Sequence, residues 1–140
     1  MLACLFLGDS IAADTAARLR AALQDRCAIV ARKGANTPAI TLIAPAALFY
    51  TAVLSSGSND GGRTDLGMRL DRLRLSVSAR YVLWIVPYDR RAAQLVRWTA
   101  AQHGDNVVDL AGLATRDRIH PSSYEGLAYA LRRGGYAGPR

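Results

Sequence analysis

The stretch Leu2-Ala3-Cys4-Leu5-Phe6-Leu7-Gly8-Asp9-Ser10-Ile11 decides how the rest of the chain is read. Leu2 to Leu7 is a short, unbroken apolar run, the pattern of a strand covered on both faces. Gly8-Asp9-Ser10 closes the run, and Ile11 to Gln24 then carries apolar residues at helical spacing. A buried strand, a tight turn and an amphipathic helix in that order open a parallel α/β sheet.

The unit recurs along the chain. Cys27 to Ala31 repeats the buried-strand pattern and is interrupted at Gly34, after which Thr37-Pro38 opens a short helix with proline in its first turn. Ala46 to Leu54 is a third apolar run, and it delivers the polar, glycine-rich loop Ser55-Ser56-Gly57-Ser58-Asn59-Asp60-Gly61-Gly62. Asp65 to Ser76 reads as a helix with Leu66, Leu70 and Leu73 facing inward, and Tyr81 to Val86 as a fourth strand stopped by Pro87. Arg90 to His103 is amphipathic and ends at Gly104, so that His103 falls in a last helical turn, where a cation suits the helix dipole. Asn106 to Leu110 is a fifth strand, and a loop runs on to Pro121. Ser122 to Arg132 is a last helix opened by the capping box Ser122-Ser123-Tyr124-Glu125. The expected architecture is a three-layer α/β/α sandwich of flavodoxin-like type, a five-stranded parallel sheet between helices, as one domain over residues 1–140.

Composition narrows the function classes. With 51% hydrophobic and 21% charged residues, a chain of 140 residues can build its own core without a metal or disulfide staple. Cys4 and Cys27 lie inside apolar runs and read as unpaired, buried thiols in a reducing compartment. The formal charge of +7 invites a nucleic-acid partner, but the arginines are scattered at spacings that put them on outer helix faces, without a basic block or interleaved aromatics. A solvated surface is the favoured reading, with anionic substrates suited by Arg63, Arg90 or Arg118. No run approaches the roughly 18 apolar residues that a membrane helix needs. The apolar start lacks a charged leader, so the expected location is the cytoplasm. Neither metal-site spacing nor a phosphate-cradling glycine loop is present, and no cofactor is expected.

In an open parallel sheet, ligands gather at the carboxyl ends of the strands. The residues delivered there are Gly8-Asp9-Ser10, Gly34-Ala35-Asn36, Gly57-Ser58-Asn59-Asp60, Pro87-Tyr88-Asp89 and the loop holding Asp117 and His120. At these positions the sequence resembles the SGNH hydrolase family, the GDSL esterases and lipases. The resemblance rests on Gly8-Asp9-Ser10-Ile11, on Gly34, on Gly57-Ser58-Asn59-Asp60 as the GxND motif, and on Asp117-Arg118-Ile119-His120-Pro121 as the DxxH motif with its trailing proline. The motifs stand in the family's order and span residues 8 to 121.

The resemblance implies that Ser10 is a nucleophile, His120 its general base and Asp117 the carboxylate that orients His120. It also assigns an oxyanion hole to the backbone N–H groups of Ser10 and Gly34 and to the Asn59 side-chain amide. The chemistry requires such a set, because a serine hydroxyl attacks poorly until an imidazole takes its proton, and the imidazole needs an acceptor on its other nitrogen. Asp60 is expected to brace its loop, and Tyr88 and Arg90 to wall the substrate cleft. The expected reaction is hydrolysis of a small-molecule or carbohydrate ester carrying a small acyl group such as O-acetyl. The competing reading is a non-catalytic module of this fold that binds or builds, for example in a bacteriophage or cell-envelope assembly.

Overall fold

A computed structural model describes residues 1–23 and 26–136. The strands are β1 (Leu2–Gly8), β2 (Cys27–Ala31), β3 (Leu48–Ser55), β4 (Ser78–Val86) and β5 (Asn106–Asp109). The helices are α1 (Ser10–Arg18), α2 (Arg20–Leu23), α3 (Thr37–Ile43), α4 (Leu66–Leu75), α5 (Arg90–His103) and α6 (Glu125–Arg133), with a short 3-10 turn at Leu110–Gly112. The strands form one sheet in the order β2-β1-β3-β4-β5, with every neighbouring pair parallel.

Period-two alternation along these strands feeds two separate cores. Leu5 and Leu7 of β1 face the side where Ile40 of α3, Leu66, Leu70 and Leu73 of α4, and Val96 of α5 pack with Leu54, Trp84 and Val86. Phe6 faces the other side, against Ile11 and Ala16 of α1 and Leu127 and Leu131 of α6, together with Val53, Leu83 and Ile85. The inward leucines of α4 are fully buried, as their spacing predicts. Truncating one of them to alanine removes apolar contact and leaves a cavity, a change that costs about 2–5 kcal/mol.

The chain passes from β1 outward to β2 and then crosses back to β3 on the other side of β1. This reversal makes the gap between the carboxyl ends of β1 and β3 the topological switch point where such sheets place ligands. The two strand ends are in close contact there. The Asp9 N–H donates to the Ser55 carbonyl at 3.2 Å, and a Cβ on Gly8 would overlap that same carbonyl oxygen. Only glycine lets β1 and β3 approach so closely at this position.

Several local expectations are corrected. The helix expected over Ile11 to Gln24 breaks at Leu19 into α1 and α2, and Gln24 lies outside the described residues. β2 is an edge strand and not a doubly covered one, with Ile29 49% exposed. The last helix begins at Glu125, so the expected capping box does not form. The Glu125 N–H instead meets Ser123 Oγ at 3.2 Å, and the Glu125 carboxylate pairs with Arg18. Cys4 and Cys27 are joined as a disulfide and are not free thiols. Their apolar runs became neighbouring parallel strands whose register sets Cys4 directly against Cys27, with Cα atoms 4.4 Å apart. The argument for a reducing compartment from unpaired thiols therefore lapses.

Candidate active site

Ser10 is the first residue of α1, held there by Asp9, whose carboxylate caps the helix by accepting the Ile11 N–H at 3.1 Å. Ser10 Oγ lies 2.8 Å from His120 Nε2, across 110 positions of sequence. His120 Nδ1 lies 2.8 Å from Asp117 Oδ2. The other Asp117 oxygen accepts the backbone N–H groups of Ile119 at 2.9 Å and His120 at 2.8 Å, so the carboxylate and the ring are fixed by the same turn. The His120 side chain and these two backbone donors hold the Asp117 carboxyl well below the usual carboxylate range. The tautomer of His120 with its proton on Nδ1 would donate to an ionised Asp117 and turn the Nε2 lone pair toward the Ser10 hydroxyl.

The turn that carries His120 is itself closed. Thr115 Oγ1 donates to the His120 carbonyl at 2.6 Å and accepts the Arg118 N–H at 2.9 Å, while Thr115 and Pro121 form an antiparallel bridge. Arg118 pays for this tightness with a left-handed backbone, at φ 61°.

A cleft of about 450 Å³ opens beside Ser10 and His120, lined also by Asp14, Lys33, Gly34, Asn59 and Ile119. Gly34 sits at φ +77° with open space where a side chain would project, so its backbone is bare toward the cleft. The loops after β2 and β3 are tied together. Asn59 Nδ2 donates to the Ala35 carbonyl at 3.2 Å, and Asp60 accepts both the Thr37 N–H at 2.9 Å and the Thr37 hydroxyl at 2.7 Å. Asp60 thus braces its loop against the first turn of α3, the role expected for it.

The structure brings Ser10, His120, Asp117, Gly34 and Asn59 to one place, and it leaves Tyr88 and Arg90 outside the cleft lining. The Tyr88 hydroxyl donates to the Leu113 carbonyl at 3.0 Å. The Arg90 guanidinium meets both Asp109 oxygens at 3.1 Å and turns back on the Pro87 and Tyr88 carbonyls. Burial pushes the Asp109 carboxyl up, but Arg90, the Ala111 N–H and Arg97 outweigh it and bring it down to about 2. Tyr88 and Arg90, expected to wall the cleft, are engaged elsewhere, Tyr88 by the Leu113 carbonyl and Arg90 by the Asp109 carboxylate at the end of β5.

Sequence reasoning missed Asp14, Lys33 and Ile119. Asp14 had a readable signal, since it stands one helical turn after Ser10 and so shares its face. Its Oδ2 accepts the Tyr124 hydroxyl at 3.4 Å, and Oδ1 lies 3.9 Å from Lys33 Nζ. Burial is the main influence raising the Tyr124 hydroxyl above its ordinary value. Asp9, beside the nucleophile position, is wholly buried. Its Oδ1 also accepts the Ser55 hydroxyl at 2.8 Å, whereas Oδ2 has no hydrogen-bond partner among the described residues. Burial pushes the Asp9 carboxyl up to about 6 against these hydrogen bonds. Among the described residues no three His, Cys, Asp or Glu side chains cluster to hold a metal ion, and no helix is long and apolar enough to cross a membrane.

No protein-family model and no curated protein matches the sequence. Solved structures do resemble it in shape. An aryl esterase of M. smegmatis superposes with a TM-score of 0.69 at 14% identity, covering 97% of this chain and 99% of that one. A carbohydrate acetylesterase from Sinorhizobium meliloti gives 0.64 at 13% identity, over 93% of this chain and 98% of the other. The C-terminal catalytic domain of the peptidoglycan O-acetyltransferase of Streptococcus pneumoniae, carrying a methylsulfonyl adduct, gives 0.61 at 17% identity, over 98% and 96%. The fold is that of the SGNH hydrolases.

Proposed function

We propose, on the premise of that fold, that the protein is a serine esterase that removes a small acyl group from a small-molecule or carbohydrate ester. One observation carries the reading: Ser10, His120 and Asp117 stand in hydrogen-bond series, 2.8 Å at each step, with Ser10 and His120 on the wall of an open cleft. The names of the similar structures, an aryl esterase and a carbohydrate acetylesterase among them, support it as analogy.

Ser10 Oγ attacks the ester carbonyl carbon as His120 Nε2 takes the hydroxyl proton, and the imidazolium so formed is stabilised by Asp117. The carbonyl oxygen becomes an oxyanion. Three donors are proposed for it: the Ser10 N–H, which as the first of a helix has no intrahelical acceptor, the Gly34 N–H, and the Asn59 amide hydrogen not given to Ala35. The tetrahedral intermediate collapses by breaking the carbon–oxygen bond to the alcohol, which leaves with the proton held on His120. A water molecule then gives His120 a proton and attacks the Ser10 acyl ester, and the carboxylic acid departs as Ser10 recovers its hydrogen. Asp117 only orients and stabilises the ring throughout. The cleft beside Ser10, of about 450 Å³ and open, suits a small acyl group better than a long one.

Hydrolysis of p-nitrophenyl acetate and labelling by a fluorophosphonate probe test the reading together. Wild type should show both, and Ser10→Ala should lose both while unfolding at the same denaturant concentration. A folded wild type that neither hydrolyses the ester nor takes the label would instead favour a non-catalytic module of this fold.

A further inference from the structure

We propose that the alcohol part of the substrate carries an anionic group, a carboxylate or a phosphate, which is recognised by Lys33 and Arg116, the cations lining the two hollows that share His120. The inference rests on the esterase reading, because it uses the direction in which the alcohol leaves. His120 Nε2 must hand its proton to the departing oxygen, so the alcohol lies on the imidazole side of Ser10. Two hollows share the His120 side chain. The main cleft holds Lys33 with Gly34, Ile119 and His120, and a second hollow of about 260 Å³ is lined by Arg116, Asp117, His120, Pro121 and Ser122.

Charge pairing and the lining of the two hollows together select these two. Of the three arginines expected to attract anions, two are already neutralised, Arg63 lying 3.4 Å from Asp60 and 3.8 Å from Asp65 and Arg90 being held by Asp109, while Arg118 is exposed but lines neither hollow. Arg116 is exposed, and its guanidinium has no hydrogen bond or ion pair among the described residues. Lys33, the chain's single lysine, is 76% exposed at its side chain and has one ionic contact, the long 3.9 Å approach to Asp14. An exposed pair at that distance is weak and exchanges readily for a substrate anion.

The carboxylates nearby offer less to a cationic substrate. Asp117 is committed to His120 and two backbone donors, and Asp14 faces both Lys33 and the Tyr124 hydroxyl. Exposed Arg32 and Arg118, neighbours in sequence of Lys33 and of the His120 turn, add to the positive field around the mouth. Such a field concentrates anionic substrates and weakens with salt.

The test uses the whole chain and acetate esters of matched phenols: 4-acetoxybenzoate, its neutral amide 4-acetoxybenzamide, 4-acetoxyphenyl phosphate and the cationic 4-acetoxybenzylammonium. Each kcat/KM is normalised to the hydroxide-catalysed rate of the same ester. The carboxylate or phosphate ester should exceed the amide by about fivefold to tenfold at low salt, the scale of one or two partly exposed ion pairs. That ratio should shrink in 0.5 M NaCl and fall toward unity in the Lys33→Gln/Arg116→Gln double variant, while Arg80→Gln, at the amino end of β4, should leave the ratio as in wild type. Either anionic ester exceeding the amide supports the inference, and the larger ratio names the preferred anion. Active enzyme with equal rates on charged and neutral esters would overturn this inference and leave the esterase reading standing, as would preference for the ammonium ester, which would transfer recognition to Asp14. Absence of hydrolysis of every ester, together with absence of fluorophosphonate labelling, would overturn the esterase reading itself.

Discussion

Replacing Asp9 by asparagine should change how stability depends on pH, by an amount the structure allows to be worked out. Asp9 is fully buried, and its carboxyl is raised from the ordinary 3.8 to about 6, mainly by burial. Between those two values the folded chain holds a proton that the unfolded chain has released, so folding stability falls as pH rises. The contribution is fully present below about pH 4 and is lost through pH 6, and a shift of about two units corresponds to roughly 3 kcal/mol. Asparagine keeps an oxygen to accept the Ile11 N–H and the Ser55 hydroxyl, but it does not ionise. Urea unfolding of wild type and Asp9→Asn at pH 4, 5, 6 and 7 gives the difference directly, because the lowered carboxyls Asp109 and Asp117 cancel between the two proteins. The variant should gain on wild type by about 2 kcal/mol between pH 4 and pH 7, since part of the effect is already lost at pH 4. Parallel curves across that range would refute the claim that burial of this one carboxyl governs the slope.

Other expectations concern turnover and the covalent link. If Asn59 donates to the oxyanion, Asn59→Ala should lower kcat on p-nitrophenyl acetate about a hundredfold with little change in KM, since each such donor is worth on the order of 3 kcal/mol in the transition state. Asp117→Asn should lower kcat by up to about 10⁴-fold by favouring the wrong His120 tautomer, while fluorescence-detected unfolding stays near that of wild type. Reducing the Cys4–Cys27 disulfide, which closes a sequence separation of 23, should cost about 3 kcal/mol in urea unfolding, on the chain-entropy argument. Equal midpoints with and without reductant would show that the link adds nothing.

What could be read from the sequence and what could not divide along physical lines. Leu66, Leu70 and Leu73 announced their buried face, because helix periodicity is local and the core only has to accept it. Thr37-Pro38 likewise announced the start of α3, where Asn36 caps the Ala39 N–H at 3.0 Å. Ser10, Gly34, Asn59, Asp117 and His120 could be proposed together because each follows a legible strand or precedes a legible helix. Their convergence is a property of strand order, and only the β2-β1-β3 arrangement brings the loops after β1 and β3 side by side. The cysteine reading failed for the same kind of reason: each residue sat in a plausible buried run, but register between separate strands has no local signature. Arg90 failed through competition, since nothing near it in sequence reveals that Asp109 will end β5 beside it. The capping box failed because Ser123, not Ser122, reaches the Glu125 N–H once the helix starts later.

The switch point also explains why a buried carboxyl with one unpartnered oxygen lies next to the proposed nucleophile. To hold Ser10 at the first position of α1, the chain must turn immediately after β1, and Asp9 supplies the helix cap that fixes the turn. The close approach of β1 to β3, possible only with glycine at position 8, then encloses that cap. Asp9 consequently bonds Ser55 across the switch point with one oxygen and leaves the other without a partner. A looser junction would solvate the carboxylate and remove its destabilising slope above pH 4, but it would also free the Ser10 backbone to drift from His120. Positioning an attacking oxygen within a fraction of an ångström is worth several kcal/mol of a reaction barrier. A folding penalty of roughly 3 kcal/mol lies within the total stability of about 5–15 kcal/mol typical of a domain, whereas a drifting nucleophile loses rate outright, so enclosure of the cap is the arrangement that a working site would retain.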